Sequence, residues 1–409
     1  MKKYLAVALG ILTAIGGFVD IGDLVTNAVV GARFGLSLAW VVVVGVIGIV
    51  LYAYMAGKVV ALSGRATFEI IRERLGARAA LMNLGASFLM TLLTLTAEIG
   101  GIALTLQLLT GIVPLAWIVV ATLAVWLVIW LVKFTWMENA AGLLGLTLIV
   151  FVVSFFVLGP DWGDTVDQIT QQYPHPGEHP LTYWFYVVAL FGAAMTPYEV
   201  FFFSSGAVEE RWGRQDLMLA RLNVGIGFPL GGLLSLGIAG SAFLVWSPEK
   251  VDVSSLSQVV LPVGEALGTI GLALVLIGVL AATMGAALET ALSCGYTLAQ
   301  YAGWPWGKWH RPAKAPQFHV TIIVCLLIAC GVLATGVDPI MVTEFSVVFS
   351  AVALPLTYAP ILVVANDPEY VGEETNGPVL NALALVYLVI IVVAAVAAIP
   401  LMVLTGLGS

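Results

Sequence analysis

The sequence predicts an all-α polytopic membrane protein of about eleven transmembrane helices, built as two inverted halves with the first and sixth helices broken. Three observations carry that expectation. Of the 409 residues, 61% are hydrophobic and only 10% charged, whereas a soluble chain carries about 25% charged residues. Apolar runs long enough to cross a bilayer recur from end to end. Two of those runs contain glycine or proline beside carboxylates, which an intact, lipid-facing helix does not tolerate.

The spans are expected at about 5–30, 36–60, 82–110, 114–132, 139–158, 183–206, 220–246, 264–300, 318–336, 340–365 and 379–405. Basic residues orient them. With the N-terminus inside, the inner loops hold Lys2, Lys3, Lys58, Arg65, Arg72, Arg74, Arg78, Lys133, Arg211, Arg214, Arg221, Lys308, Arg311 and Lys314, against only Arg33 and Lys250 outside. The C-terminus then falls outside, and the membrane is expected to be a prokaryotic cytoplasmic (inner) one. Met1-Lys2-Lys3 imitates a signal peptide, but Asp20 and Asp23 follow without a small-x-small cleavage site, so the first span is expected to be retained. Four segments result: a first five-helix repeat at 1–158, an outer loop at 159–182, a second repeat at 183–365, and an inner loop with an additional C-terminal helix at 366–409.

The net charge of −8 is spread over separate loops, and no basic cluster suggests nucleic acid. Cys294, Cys325 and Cys330 lie in apolar runs and read as buried free thiols. In the acidic outer loop, His175 and His179 have helical metal-ligand spacing, but Pro174, Pro176 and Pro180 argue for a solvated loop instead. Trp130, Trp184 and Tyr186 read as lipid-interface anchors. Trp304–Lys314 reads as a polar inner linker, and no separate soluble domain is visible.

The informative stretch is Gly16-Gly17-Phe18-Val19-Asp20-Ile21-Gly22-Asp23 in span one. A charge at the bilayer centre costs roughly 2.5–3.5 kcal/mol, so such residues face cavities or partners. The motif has an echo 176 residues on, where Gly192-Ala193-x-x-Thr196-x-x-Glu199 repeats the pattern of small residues followed by oxygen side chains at i and i+3. Pro197 disfavours helix at Thr196, so span six should also be interrupted. Five spans separate the two motifs, so the units cross the membrane in opposite senses, which is the pattern of a midplane transport site.

If Asp20, Asp23 and Glu199 converge, they require a cation or a shared proton. The Thr196 hydroxyl and the freed carbonyls of Gly17 and Ala193 would complete an all-oxygen shell suited to Mg²⁺, Ca²⁺ or Mn²⁺. Each residue also has a structural reading: Asp20 and Asp23 satisfied by helix N-terminal amides, Glu199 as a protonated structural carboxyl, and Thr196 bonded to its own backbone. Glu98 and Glu289 are the other buried-looking acids, able to relay protons or attract ions, or to bond across helices.

Asp20-Ile21-Gly22-Asp23-Leu24-Val25-Thr26-Asn27, continuing to Gly31-Ala32-Arg33-Phe34-Gly35 and Trp40, resembles the first span of Nramp-type divalent-metal transporters, with their Asp-Pro-Gly-Asn hallmark. Ala97-Glu98-Ile99-Gly100, the segment around Thr196-Pro197-Tyr198-Glu199, and Asn366-Asp367 through Gly377-Pro378-Val379-Leu380-Asn381 are similar to that family's third span, sixth span and last inner loop. The resemblance implies a LeuT-type 5+5 inverted repeat with one further helix. It puts Asp20 on the family's metal-binding aspartate, Asp23 on its asparagine, Ile21 on its proline, Thr196 on its methionine and Glu199 on its second asparagine. Tyr198 and Phe203 take the sixth-span histidine positions, Leu95 that of a proton-assisting aspartate and Val347 that of a tenth-span glutamine. The ninth span lacks the buried arginine pair of the family's proton route.

Harder ligands and missing proton-path residues look like the Nramp-related magnesium transporter branch. The expected activity is import of a hard divalent cation, Mg²⁺ and also Mn²⁺, by alternating access without proton coupling, with Glu98, Glu289 and Tyr198 along a possible ion or proton pathway. The alternatives are a proton-coupled importer of Mn²⁺ or transition metals, and an organic amine or amino-acid carrier on the same fold. No nucleophile–base pairing suggests an enzyme. No prosthetic group is expected; the ion is cargo, the bilayer is the solvent, and the chain is expected to act as a monomer.

Overall fold

The computed structural model describes residues 18–170 and 178–408. Gly16, Gly17 and His175 lie outside the described residues. The described residues form helices joined by short turns: α1 (Ile21–Phe34), α2 (Ala39–Ser63), α3 (Thr67–Thr110), α4 (Pro114–Leu131), α5 (Phe134–Gly145), α6 (Ile149–Val157), α7 (Trp162–Thr170), α8 (Pro180–Ala194), α9 (Pro197–Glu209), α10 (Leu217–Trp246), α11 (Leu256–Ala302), α12 (Pro316–Ala334), α13 (Pro339–Val364), α14 (Pro368–Val371) and α15 (Pro378–Thr405). Among the described residues, ten helices or helix pairs are long and apolar enough to span a membrane. They correspond to the expected spans two to eleven, and α1 is the described part of span one.

Proline punctuates the chain. Pro114, Pro180, Pro197, Pro316, Pro339 and Pro378 each open a helix, where the missing N–H costs nothing. In hydrocarbon every backbone group needs an internal partner, so the break before Pro197, inside span six, has to be buried in protein, and Met195, Thr196 and Pro197 are.

Two long helices extend beyond the expected spans and bend at matching places. In α3 the kink is Gly76 (φ 83°) and in α11 it is Gly268 (φ 65°). Both conformations favour glycine. Each kink separates a short leading helix from the span that follows, so spans three and eight carry the same device in the two halves. Span five is also uneven, passing from α5 through a 3-10 turn at Leu146–Leu148 into α6. The expected outer loop contains a helix of its own, α7, whose start is held by Asp161 Oδ1 accepting from the Gly163 amide.

The core lies between α1, α3, α8, α9, α10, α11 and α13, while α4 and α15 present apolar side chains such as Leu127, Val389 and Val396 outward. Gly31 of α1 lies against the Ala239 carbonyl of α10 so closely that a Cβ would meet that oxygen at 2.1 Å. Spans one and seven are therefore in backbone contact.

Several local expectations change. Lys58 lies in α2 rather than in an inner loop; it is buried and donates to Ala365 O (3.1 Å), Glu374 O (2.9 Å) and Asn376 Oδ1 (2.5 Å). It ties the segment before the last span to span two. The same segment carries Asp367, whose carboxyl is held below the usual range by the Glu369 amide and the Arg74 guanidinium. Trp130 and Trp184 are exposed like interface anchors, but Tyr186 is buried, with the Arg33 guanidinium over its ring at 5.4 Å. Arg33 also forms a two-pronged pair with Glu178 (2.9 and 2.8 Å). His179 caps α8, its Nδ1 accepting from the Leu181 amide. Cys294 and Cys325 are buried free thiols and Cys330 is half-buried.

Candidate functional site

Span one is non-helical at Val19 and Asp20, and α1 begins at Ile21. Asp20 is the N-cap of α1: its Oδ1 accepts from the Asp23 amide at 2.8 Å. Span six breaks at Met195 and Thr196, and α9 begins at Pro197. Asp20 and Thr196 are thus both N-caps, Ile21 and Pro197 both first helical residues, and Asp23 and Glu199 both third. The 176-residue echo is in register at the level of the helix starts.

The surroundings of the first break are rich in donors. Ile21 N–H donates to Glu98 Oε1 at 3.0 Å, so a carboxylate from α3 sits on the start of α1, where anions are favoured. Asp20 Oδ2 accepts from the Tyr198 hydroxyl at 3.1 Å, which joins the two breaks directly. Asp23 Oδ1 accepts from Asn27 Nδ2 at 2.8 Å and Oδ2 from Ser235 Oγ at 2.5 Å. A carboxylate has about four lone-pair sites, so these bonds orient Asp20 and Asp23 and still leave each able to bind a cation.

The second break is poorer. Thr196 makes no capping bond; its hydroxyl donates to Glu199 Oε2 at 3.2 Å. Glu199 Oε1 is buried without a partner. Ala193 lies in the last turn of α8, and the residue four positions on, which would donate to its carbonyl in a continuous helix, is Pro197. Gly192 O, by contrast, accepts from Ser350 Oγ at 2.9 Å.

Asp20, Asp23, Thr196, Glu199, Glu98, Glu289, Tyr198 and Ala193 are all buried. The structure joins Asp20 to Tyr198, Thr196 to Glu199, and Glu98 to the start of α1. Asp23 turns instead toward Asn27 and Ser235. Among the described residues, no three carboxylate, imidazole or thiolate side chains stand close enough together to enclose a metal ion. Val347, at the position compared with a tenth-span glutamine, meets Gly22 so closely that a Cβ there would lie 2.8 Å from its Cγ1.

Sequence reasoning did not single out Ser235 or Asn27. Asn27 follows Asp23 by one helical turn, a legible signal. Ser235 sits in Gly231-Gly232-Leu233-Leu234-Ser235, which reads as a close-packing surface, and nothing local points to a carboxylate partner on another span.

A family model described as natural resistance-associated macrophage protein-like matches residues 10–400. The chain belongs to the Nramp family. Among similar proteins is the divalent metal cation transporter MntH of Mycobacterium tuberculosis, 23% identical over 381 residues, covering 88% of this chain and 83% of that protein. The fold matches the manganese transporter of Eremococcus coleocola with a TM-score of 0.70 at 19% identity, over 95% of this chain and 85% of that one. It also matches Mhp1, a nucleobase-cation-symport-1 family transporter, at 0.61 and 16% identity, over 96% and 91%. Within this Nramp chain the fold is therefore the LeuT-type arrangement of broken helices.

Proposed function

We propose that this Nramp-family chain carries a hard divalent cation across the membrane, held between the two helix breaks by Asp20, Asp23 and Glu199. The Thr196 hydroxyl and the Ala193 carbonyl contribute further oxygens. The observation that carries the reading is the buried Glu199 Oε1, which has no hydrogen-bond donor. A bare buried carboxylate oxygen is costly unless a cation or a proton satisfies it. Relatives named as divalent metal cation and manganese transporters support a divalent cargo.

The oxygen-only ligand set favours Mg²⁺ or Mn²⁺ over softer metals. Mg²⁺ dehydrates reluctantly, so a site for it keeps several waters. The manganese in the relatives' names favours Mn²⁺ as a second cargo. Transport then follows from rocking of the bundle that contains spans one and six, so that the site opens to each side in turn. An inside-negative potential supplies about 4.6 kcal/mol per 100 mV for a divalent ion, twice the single-charge figure, which drives import without a proton. Leu95, Tyr198 and Phe203 supply neither the carboxylate nor the imidazoles of the family's proton route, which favours uncoupled import, while Glu98 Oε2 stays buried without a partner.

The test is Mg²⁺ and Mn²⁺ flux into sealed proteoliposomes with internal pH recorded. Asp20→Ala and Glu199→Ala are each expected to abolish flux; undiminished flux in either defeats the site. Proton movement in fixed ratio to metal would instead establish the coupled mechanism.

A further inference from the structure

The two halves also match in their third and eighth spans. Glu98 follows the Gly76 kink of α3 and Glu289 follows the Gly268 kink of α11, each by about six helical turns. Glu98 bonds the first amide of α1, that of Ile21. The residue in that place at the start of α9 is Pro197, which has no N–H to offer. Ser293, one turn after Glu289 on the same face, donates to the Tyr198 carbonyl at 3.0 Å, so this face of α11 meets the start of α9.

Glu289 is 7% exposed, on the face of α11 that Ser293 shares. It lies within electrostatic range of Glu199 and Asp20. The second half thus holds Glu199 with a bare oxygen and Glu289 on the facing helix, whereas in the first half Glu98 caps α1 with Oε1 and leaves Oε2 buried without a partner.

We propose that Glu289 contacts the transported cation directly, opposite Glu199, and completes the half of the site that Pro197 leaves without an amide. The proposal rests on the cation reading above. Glu289 then joins Asp20, Asp23 and Glu199 as a further carboxylate oxygen, and an all-oxygen shell of this charge selects a hard divalent ion over a monovalent amine.

The experiment is Mn²⁺ binding to the purified full-length protein, followed by the loss of free Mn²⁺ signal in electron paramagnetic resonance, together with thermal melting. Glu289→Gln is expected to weaken binding about 10-fold or more. Glu289→Asp, which keeps the charge, is expected to bind more tightly than Glu289→Gln, a ranking that a purely structural role does not require. Pro197→Ala restores an amide for Glu289 to bond and is expected to weaken binding in the same direction by less. Wild-type affinity in Glu289→Gln, with binding lost in Glu199→Gln, overturns this assignment alone. Wild-type affinity in both Glu199→Gln and Asp20→Ala overturns the cation reading beneath it.

Discussion

The helix breaks of spans one and six share a register and differ in what satisfies them. At the first, Asp20 caps its own helix, Glu98 takes the first amide, and Asn27 and Ser235 hold the two oxygens of Asp23. At the second, Thr196 caps nothing, Pro197 has no amide, and Glu199 keeps one bond and one bare oxygen. The first break draws on more of the protein's own donors than the second, although Glu98 Oε2, like Glu199 Oε1, is buried without a partner. The two halves supply two similar helix starts, and a few residue differences leave the first more tightly held than the second.

The largest expected effect is a split between stability and transport. Asp20→Ala removes an N-cap and the acceptor of the Tyr198 hydroxyl, so it should cost about 1–2 kcal/mol of stability as well as flux. Glu199→Gln should reduce flux about 100-fold, some 2.7 kcal/mol of binding, while metal-free stability holds or rises, because a poorly satisfied buried charge has been removed. Thermal melting with and without Mn²⁺ distinguishes them: the metal-induced rise expected of the wild type should vanish in Glu199→Gln. A large metal-free loss of stability in Glu199→Gln would erase the contrast between the breaks.

Next in size is Ser235→Ala. Its hydroxyl donates to Asp23 Oδ2 from α10, and a hydrogen bond to a charged group contributes about 1.5–3 kcal/mol. Loss of an outer partner of a metal ligand weakens affinity about 10-fold or more. The expectation is therefore a lower melting temperature together with weaker Mn²⁺ binding. An unchanged melting temperature would mean that the first break does not depend on its donors, which would sink the contrast from the other side.

The spans, both breaks and their echo were legible because each is a local feature: apolar length, glycine or proline, and carboxylates at i and i+3. What was not legible needed contacts across the fold. Ser235 lies in a run of glycine and leucine whose evident use is close approach, realised nearby at Gly31 and Ala239, and its bond to Asp23 follows from that approach. The structural readings weighed for individual residues were also partly realised: Asp20 does cap a helix, and Glu98 does bond across helices. The Thr196 hydroxyl donates to Glu199 rather than to its own backbone. Tyr186 read as a lipid anchor because an aromatic near a helix start does so by default; its cationic partner, Arg33, comes from span one.

The smallest effect, and the one that sharpens the comparison most, belongs to Thr196→Met. Thr196 contributes one hydroxyl, already spent on Glu199 at 3.2 Å, so its removal leaves the carboxylates in place and should change total Mn²⁺ flux only a few-fold, about 1 kcal/mol or less. A thioether, however, is a soft ligand where every other candidate donor is an oxygen. Competition by Cd²⁺ should therefore strengthen relative to Mg²⁺, with Mn²⁺ between them. If the second break is where the ion meets its least constrained ligands, this substitution should move selectivity, whereas a methionine placed at Asn27, behind Asp23, should disturb stability and leave the order of metals unchanged. Equal shifts from both positions would show that the ion sees the two breaks alike.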